Sequence, residues 1–118
     1  MISVPDILPK LLIAAFFLVA GGFNIKSWVH LRNEVASKGV PAPSLLLALA
    51  IFTQIAGSLA LFIPGLTAYG ALALIAFTVI GTLLFHAFWR YSGHEQFIHR
   101  NFFLGNFAVV GGLLLLLG

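Results

Sequence analysis

The 118-residue chain has no cysteine, one methionine and three acidic residues, Asp6, Glu34 and Glu95. Without cysteine there is no disulfide framework, no thiolate nucleophile and no cysteine-ligated metal. Charged residues make up 8% of the sequence, where a soluble domain carries about a quarter. With 61% hydrophobic residues and a mean hydropathy of +1.11, the composition is that of an integral membrane protein. Six scattered basic residues cannot form a stripe that tracks phosphates, so nucleic acid is excluded as a partner. No P-loop, dinucleotide-binding glycine pattern or nucleophile triad is present. The three carboxylates all fall outside the apolar runs, which argues against a proton-coupled exporter, because such a protein needs a carboxylate inside the membrane.

The chain is organised around Gly70 to Arg90, GALALIAFTVIGTLLFHAFWR. Up to Phe85 this run holds no ionisable group and only two polar side chains, Thr78 and Thr82. About 20 apolar residues at ~1.5 Å rise per residue cross a bilayer. Trp89, Arg90 and Tyr91 mark the exit at the water–lipid boundary, which places His86 one helical turn below it.

Four such runs predict an all-α, integral membrane, antiparallel four-helix bundle forming one domain over 1–118, with spans at about 7–28, 44–63, 68–89 and 101–117. Ser3-Val4-Pro5-Asp6 resembles a helix start. The first run could imitate a secretory signal peptide, but its removal would leave three hydrophobic spans and nothing to export. Within 28–39, Trp28, Leu31 and Val35 share one helical face, predicting an extension of the first helix or an interfacial helix stopped by Gly39 and Pro41. Residues 91–99, with His94, Glu95 and His99, read as a short polar loop. Lys26, Arg32, Lys38, Arg90 and Arg100 lie on one side of the bilayer and only Lys10 on the other. Positive-inside then puts the first and third loops in the cytoplasm and both termini outside.

With that topology the polar residues of the spans gather in the cytoplasmic half: Asn24, Lys26, Gln54, His86 and Asn106. Polar groups in hydrocarbon face the bundle interior or one another, which predicts a polar cavity there with Trp89 at its mouth. For each residue a plainer role stands beside the binding role. Gln54 and Asn106 could simply hydrogen-bond helices together, Lys26 could snorkel to the surface, and His86 could be a boundary anchor. Ala56 and Ala60 offer a small-residue face for self-association into a homo-oligomer. His94-Glu95 with His99 has one residue too many for a zinc-protease helix; five residues turn about 500°, so no metal site follows. Haem held by two histidines would need a partner for His86 on a facing helix, and with His30 and His99 read as loop residues haem is set aside.

Several motifs, in this order, resemble the DoxX family of small four-helix bacterial membrane proteins. They are Gly22-x-x-x-Lys26, the turn Lys38-Gly39-Val40-Pro41-Ala42-Pro43, Gly57 with Leu61-Phe62-Ile63-Pro64-Gly65-Leu66-Thr67, Leu84-Phe85-His86-Ala87-Phe88-Trp89, and Asn101 to Leu117 with its Gly-Gly-Leu-Leu-Leu ending. Two departures stand out: Gln54 occupies a helix-two position where many members carry glutamate, and the sequence stops at Gly118 without a short Gly/Tyr/Ser-containing tail. The resemblance implies an inner-membrane location and, through some relatives, a link to membrane oxidoreductase systems that are quinone- or thiol-based. On that footing the chain is expected to be a membrane subunit beside a redox partner protein, with His86 exchanging a proton at a quinone headgroup and Gln54 and Asn106 bonding its oxygens. Two alternatives remain: a non-enzymatic structural or assembly protein in the lipid bilayer, and a binder of a small lipophilic molecule.

Overall fold

The computed structural model describes the backbone of residues 4–118 and side chains from residue 6; the helix start expected at Ser3 lies outside the described residues. Five α-helices follow one another: α1 (Val4–Lys26), α2 (Trp28–Ser37), α3 (Pro43–Ala60), α4 (Thr67–Phe85) and α5 (Gly93–Leu115). Four of them, all but α2, are long and apolar enough to span a membrane, and among the described residues there is no strand. Alternating directions and short connections make them an antiparallel bundle.

α1 and α2 are nearly one rod. Ser27 departs from helical geometry, yet its amide donates to the Phe23 carbonyl and its carbonyl accepts from the Leu31 amide. The Arg32 guanidinium then donates to the Ser44 hydroxyl at 2.9 Å, fixing α2 to the start of α3. The connecting turn uses Gly39 (φ +79°), followed by Ala42 in the left-handed region (φ +49°), before Pro43 opens α3 with its pre-set φ.

Three boundaries differ from the sequence expectation. α3 gives way after Ala60 to i→i+3 bonds running to Leu66, so the second span closes earlier than residue 63. α4 ends at Phe85, and Phe88–Arg90 form a 3-10 turn instead of completing the helix. Breaking there folds the Phe88 and Trp89 rings edge-on against Phe103 of α5, with centroids 5.3 and 5.9 Å apart. α5 begins at Gly93, not near 101, so the expected polar loop is largely its first two turns. An apolar count cannot see these turns, because a helix in the headgroup region needs no apolar side chains. Gln96, His99 and Phe103 face inward there while His94 and Glu95 are exposed.

The closest packing joins α3 to α4. A Cβ on Gly70 would stand 2.6 Å from the Gly57 carbonyl oxygen and 3.0 Å from the Ala60 Cβ, so the two backbones touch. Of Ala56 and Ala60, the pair that suggested self-association, Ala60 is turned against α4 of the same chain. The hydrophobic core, Ala14, Phe17, Leu61, Ala71, Leu74 and Leu113, sits in the half of the bundle that holds the termini. α1 packs on α3, α3 on α4 and α4 on α5, while α1 and α5 barely meet.

Candidate functional site

In the half of the bundle holding the first and third loops, polar side chains from different helices meet in three pairs besides Arg32 and Ser44. Asn24 of α1 donates to Gln54 Oε1 of α3 at 2.9 Å, and Gln54 is 2% exposed. Gly21 lets α1 approach α3 beside this pair: a Cβ there would lie 3.2 Å from Ile55 Cγ1 and in ordinary contact, 3.5 Å, with the Gln54 amide carbon. Asn106 of α5 donates to Thr82 Oγ1 of α4 at 2.7 Å. The Thr82 hydroxyl passes its own proton to the Thr78 carbonyl, and Thr78 bonds the Leu74 carbonyl in turn. Among the described residues no buried side-chain nitrogen or oxygen lacks a hydrogen-bond partner.

The third pair is the one with chemistry to spare. His86, just past the end of α4, and His99 of α5 bring their Nδ1 atoms to 3.1 Å. One Nδ1 donates its N–H and the other accepts, so the two neutral rings take complementary tautomers and the donor ring keeps a free Nε2 lone pair. Phe102 stacks on His86 (5.0 Å between centroids, 24° between planes) and Tyr91 on His99 (4.0 Å, 16°). The turn that presents His86 is itself held by Gln96, whose amide donates to the Phe88 carbonyl at 3.3 Å. Glu34 of α2 acts on His86 electrostatically, and its carboxylate is paired with His30 at 2.9 Å. Lys38, just past the end of α2, reaches over the Phe85 ring at 5.8 Å.

The residues singled out in the sequence are thus distributed. Asn24 and Gln54 form one pair, and Asn106 joins Thr82. His86 joins His99, which lies on α5 and not in the loop expected from the sequence. Lys26 is exposed at the end of α1, and Trp89 is exposed beside Phe103. The clefts at the end holding the termini and along the α1–α5 seam are not lined by Gln54, His86, Asn106 or Lys26. His99 could have been found from Gln96, His99 and Phe103 falling at i, i+3 and i+7, one face of a helix running through the polar stretch. His99 stands on α5 facing the end of α4, so the loop placement that set haem aside does not hold.

The DoxX family's sequence profile matches residues 8–87, well over half of the chain. The chain belongs to the DoxX family. It is similar to the inner membrane protein YqjF of Escherichia coli (strain K12), with 29% identity over 107 residues that make up 91% of this chain and 77% of that protein. No solved structure matches. This DoxX chain is a small multi-pass inner-membrane protein. The profile stops at Ala87, so it takes in His86 but neither His99 nor the rest of α5.

Proposed function

We propose that this DoxX protein is the membrane subunit of a quinone- or thiol-linked redox assembly, and that His86 and His99 together form its ligand-contacting site. The observation that carries the reading is the 3.1 Å Nδ1···Nδ1 contact, placed at the end of a membrane span and flanked by planar rings. The ring that donates through Nδ1 keeps an Nε2 lone pair, which can take a proton from a molecule at the water–lipid boundary and return it as an imidazolium. A quinone headgroup fits this setting, being planar with hydrogen-bonding oxygens. His86 and His99 would hold it, with Phe102 and Tyr91 beside its ring. When bound, the quinone supplies two-electron carrier chemistry. The protein's own residues position it and hold the proton, while electrons come from a partner protein, since the chain has no cysteine. Both loops lie in the cytoplasm in this reading, following the five-to-one division of lysine and arginine.

The pairings of Gln54 with Asn24 and of Asn106 with Thr82 favour a structural role for those four residues, as interhelical hydrogen bonds. If the histidine pair were structural as well, the protein would be a non-enzymatic assembly component. Mass spectrometry and an ultraviolet–visible spectrum of protein purified in mild detergent separate the two readings. A stoichiometric quinone or other lipophile that is lost in both His86→Ala and His99→Ala supports the site. No lipophile in the wild type, or one retained with unchanged affinity in both variants, sinks it.

A further inference from the structure

We infer that His99, and not His86, is the ring on which a proton taken up by the histidine pair comes to rest, as an imidazolium stacked on Tyr91 and donating through Nδ1 to His86. Depth separates the two rings. The Asn106–Thr82 bond sets α4 and α5 level with each other at those residues. From that level His86 stands four residues on along α4, about 6 Å toward the loop end. His99 stands seven residues back along α5, about 10 Å toward the same end. His99 is therefore roughly 4 Å nearer water, where a charged ring loses less hydration. The aromatic partners differ as well. Tyr91 lies 4.0 Å from His99 between centroids and 16° from parallel, whereas Phe102 is 5.0 Å from His86 and tilted by 24°. The negative face of an aromatic ring attracts a cation set over it, so the closer Tyr91 holds a charged His99 better than Phe102 holds a charged His86.

Among the surrounding charges, the Glu34 carboxylate of α2 attracts positive charge to His86 instead. It is already engaged by His30 at 2.9 Å, and the Lys38 ammonium over the neighbouring Phe85 ring opposes it. Arg90 on the turn, and His94, Glu95 and Arg100 on α5, are exposed to water, which screens them. The outcome is the same whichever ring meets the proton first. A proton is taken at the free Nε2 of the ring that donates through Nδ1. If that ring is His99, the charge stays there. If it is His86, its Nδ1–H passes across the 3.1 Å contact to His99 Nδ1; one N–H bond breaks, one forms, and no electron moves. The pair is thus directional, taking a proton at the membrane boundary and presenting it on the water side, with Tyr91 as a positioning residue. That use rests on the ligand reading above, in which the proton leaves a hydroxyl of the reduced, quinol form; the place of the charge on His99 does not.

The test is ¹⁵N nuclear magnetic resonance of the full chain, histidine-labelled and purified in mild detergent, with signals assigned by replacing each histidine with glutamine in turn. Spectra run from about pH 8 to about pH 5, across the ordinary histidine range. As the pair takes up its first proton, both nitrogens of His99 should become protonated while His86 keeps a bare Nδ1. Tyr91→Leu should lower the midpoint of that step by about half a pH unit, a roughly threefold loss of proton affinity, and Tyr91→Phe should stay close to the wild type. A wild type in which His86 is the doubly protonated ring overturns the inference, as does one in which neither ring takes a proton above about pH 5. An unchanged midpoint in Tyr91→Leu with wild-type circular dichroism overturns the role of Tyr91. The wild-type spectrum decides the place of the charge even if Tyr91→Leu misfolds. These spectra need no bound lipophile, so a protein that holds none yet charges His99 first loses the ligand reading and keeps this one.

Discussion

Gly70→Ala should destabilise the bundle, whereas Gly81→Ala on the same helix should stabilise it. Each change adds one methyl group and relieves α4 of a glycine, which in a helix interior is worth up to about 1 kcal/mol. At Gly81 the new Cβ meets nothing within 4 Å, so that gain stands alone. At Gly70 it meets the Gly57 carbonyl oxygen at 2.6 Å, and ordinary contact begins at 3.4 Å. No rotamer can relieve a clash between a Cβ and a backbone oxygen, so α3 and α4 must separate. Overpacking of this kind costs about 1–3 kcal/mol, and the upper end applies because both sides are backbone. After the propensity gain, Gly70→Ala should lose about 1–2 kcal/mol, leaving the two variants about 2–3 kcal/mol apart. Gly57→Ala should fall between them, since its Cβ meets the rotatable Leu74 side chain at 3.1 and 3.2 Å. Equilibrium unfolding in mixed detergent micelles, followed by far-ultraviolet circular dichroism, gives the ranking directly. A Gly70→Ala protein as stable as Gly81→Ala would refute the close α3–α4 contact.

Thr82→Val should cost about 1–2 kcal/mol by stranding the Asn106 amide, and Asn106→Leu in that background should cost less than it does alone. The same unfolding assay, run as a double-mutant cycle, reads the coupling; strict additivity would mean that α4 and α5 are not joined there. With ¹⁵N-histidine labelling, one hydrogen-bonded imidazole N–H signal should disappear in His86→Ala and equally in His99→Ala. A signal that survives either change belongs to a ring outside the pair. Because the chain has no cysteine, single cysteines report topology cleanly. A membrane-impermeant maleimide should label Leu66→Cys in intact cells but Ser37→Cys and Ser92→Cys only after permeabilisation, and the reverse pattern would invert the orientation.

The spans were legible because hydrocarbon imposes one pattern, long apolar runs ended by aromatic and basic residues, which α1 and α4 carry in full and α3 carries as the apolar run alone. Gln54 and Asn106 were legible as inward-facing for the same reason: a lone amide in an apolar run has to find a partner. Which partner was not legible. Gly21 lets α1 approach α3 where Asn24 reaches Gln54, and Asn106 is received by Thr82, a residue within α4, while His86 lies past its end. His99 was hidden by the polarity of its own helical turn. Hydropathy registers where a membrane ends, not where a helix does.

The placement of the core along the bundle axis also shapes how the protein moves. At the end with the termini, Phe17, Leu61, Leu74 and Leu113 interlock across four helices. At the other end, α5 is held to α4 through an amide–hydroxyl bond, a shared imidazole proton and a few ring contacts. Such contacts release at lower free energy than interlocked side chains, so brief partings of the helices begin at the loop end and seldom run the full length. The molecule behaves less like a rigid plug than like a clothes-peg: sprung shut at the termini, with jaws that open and close around the two histidines.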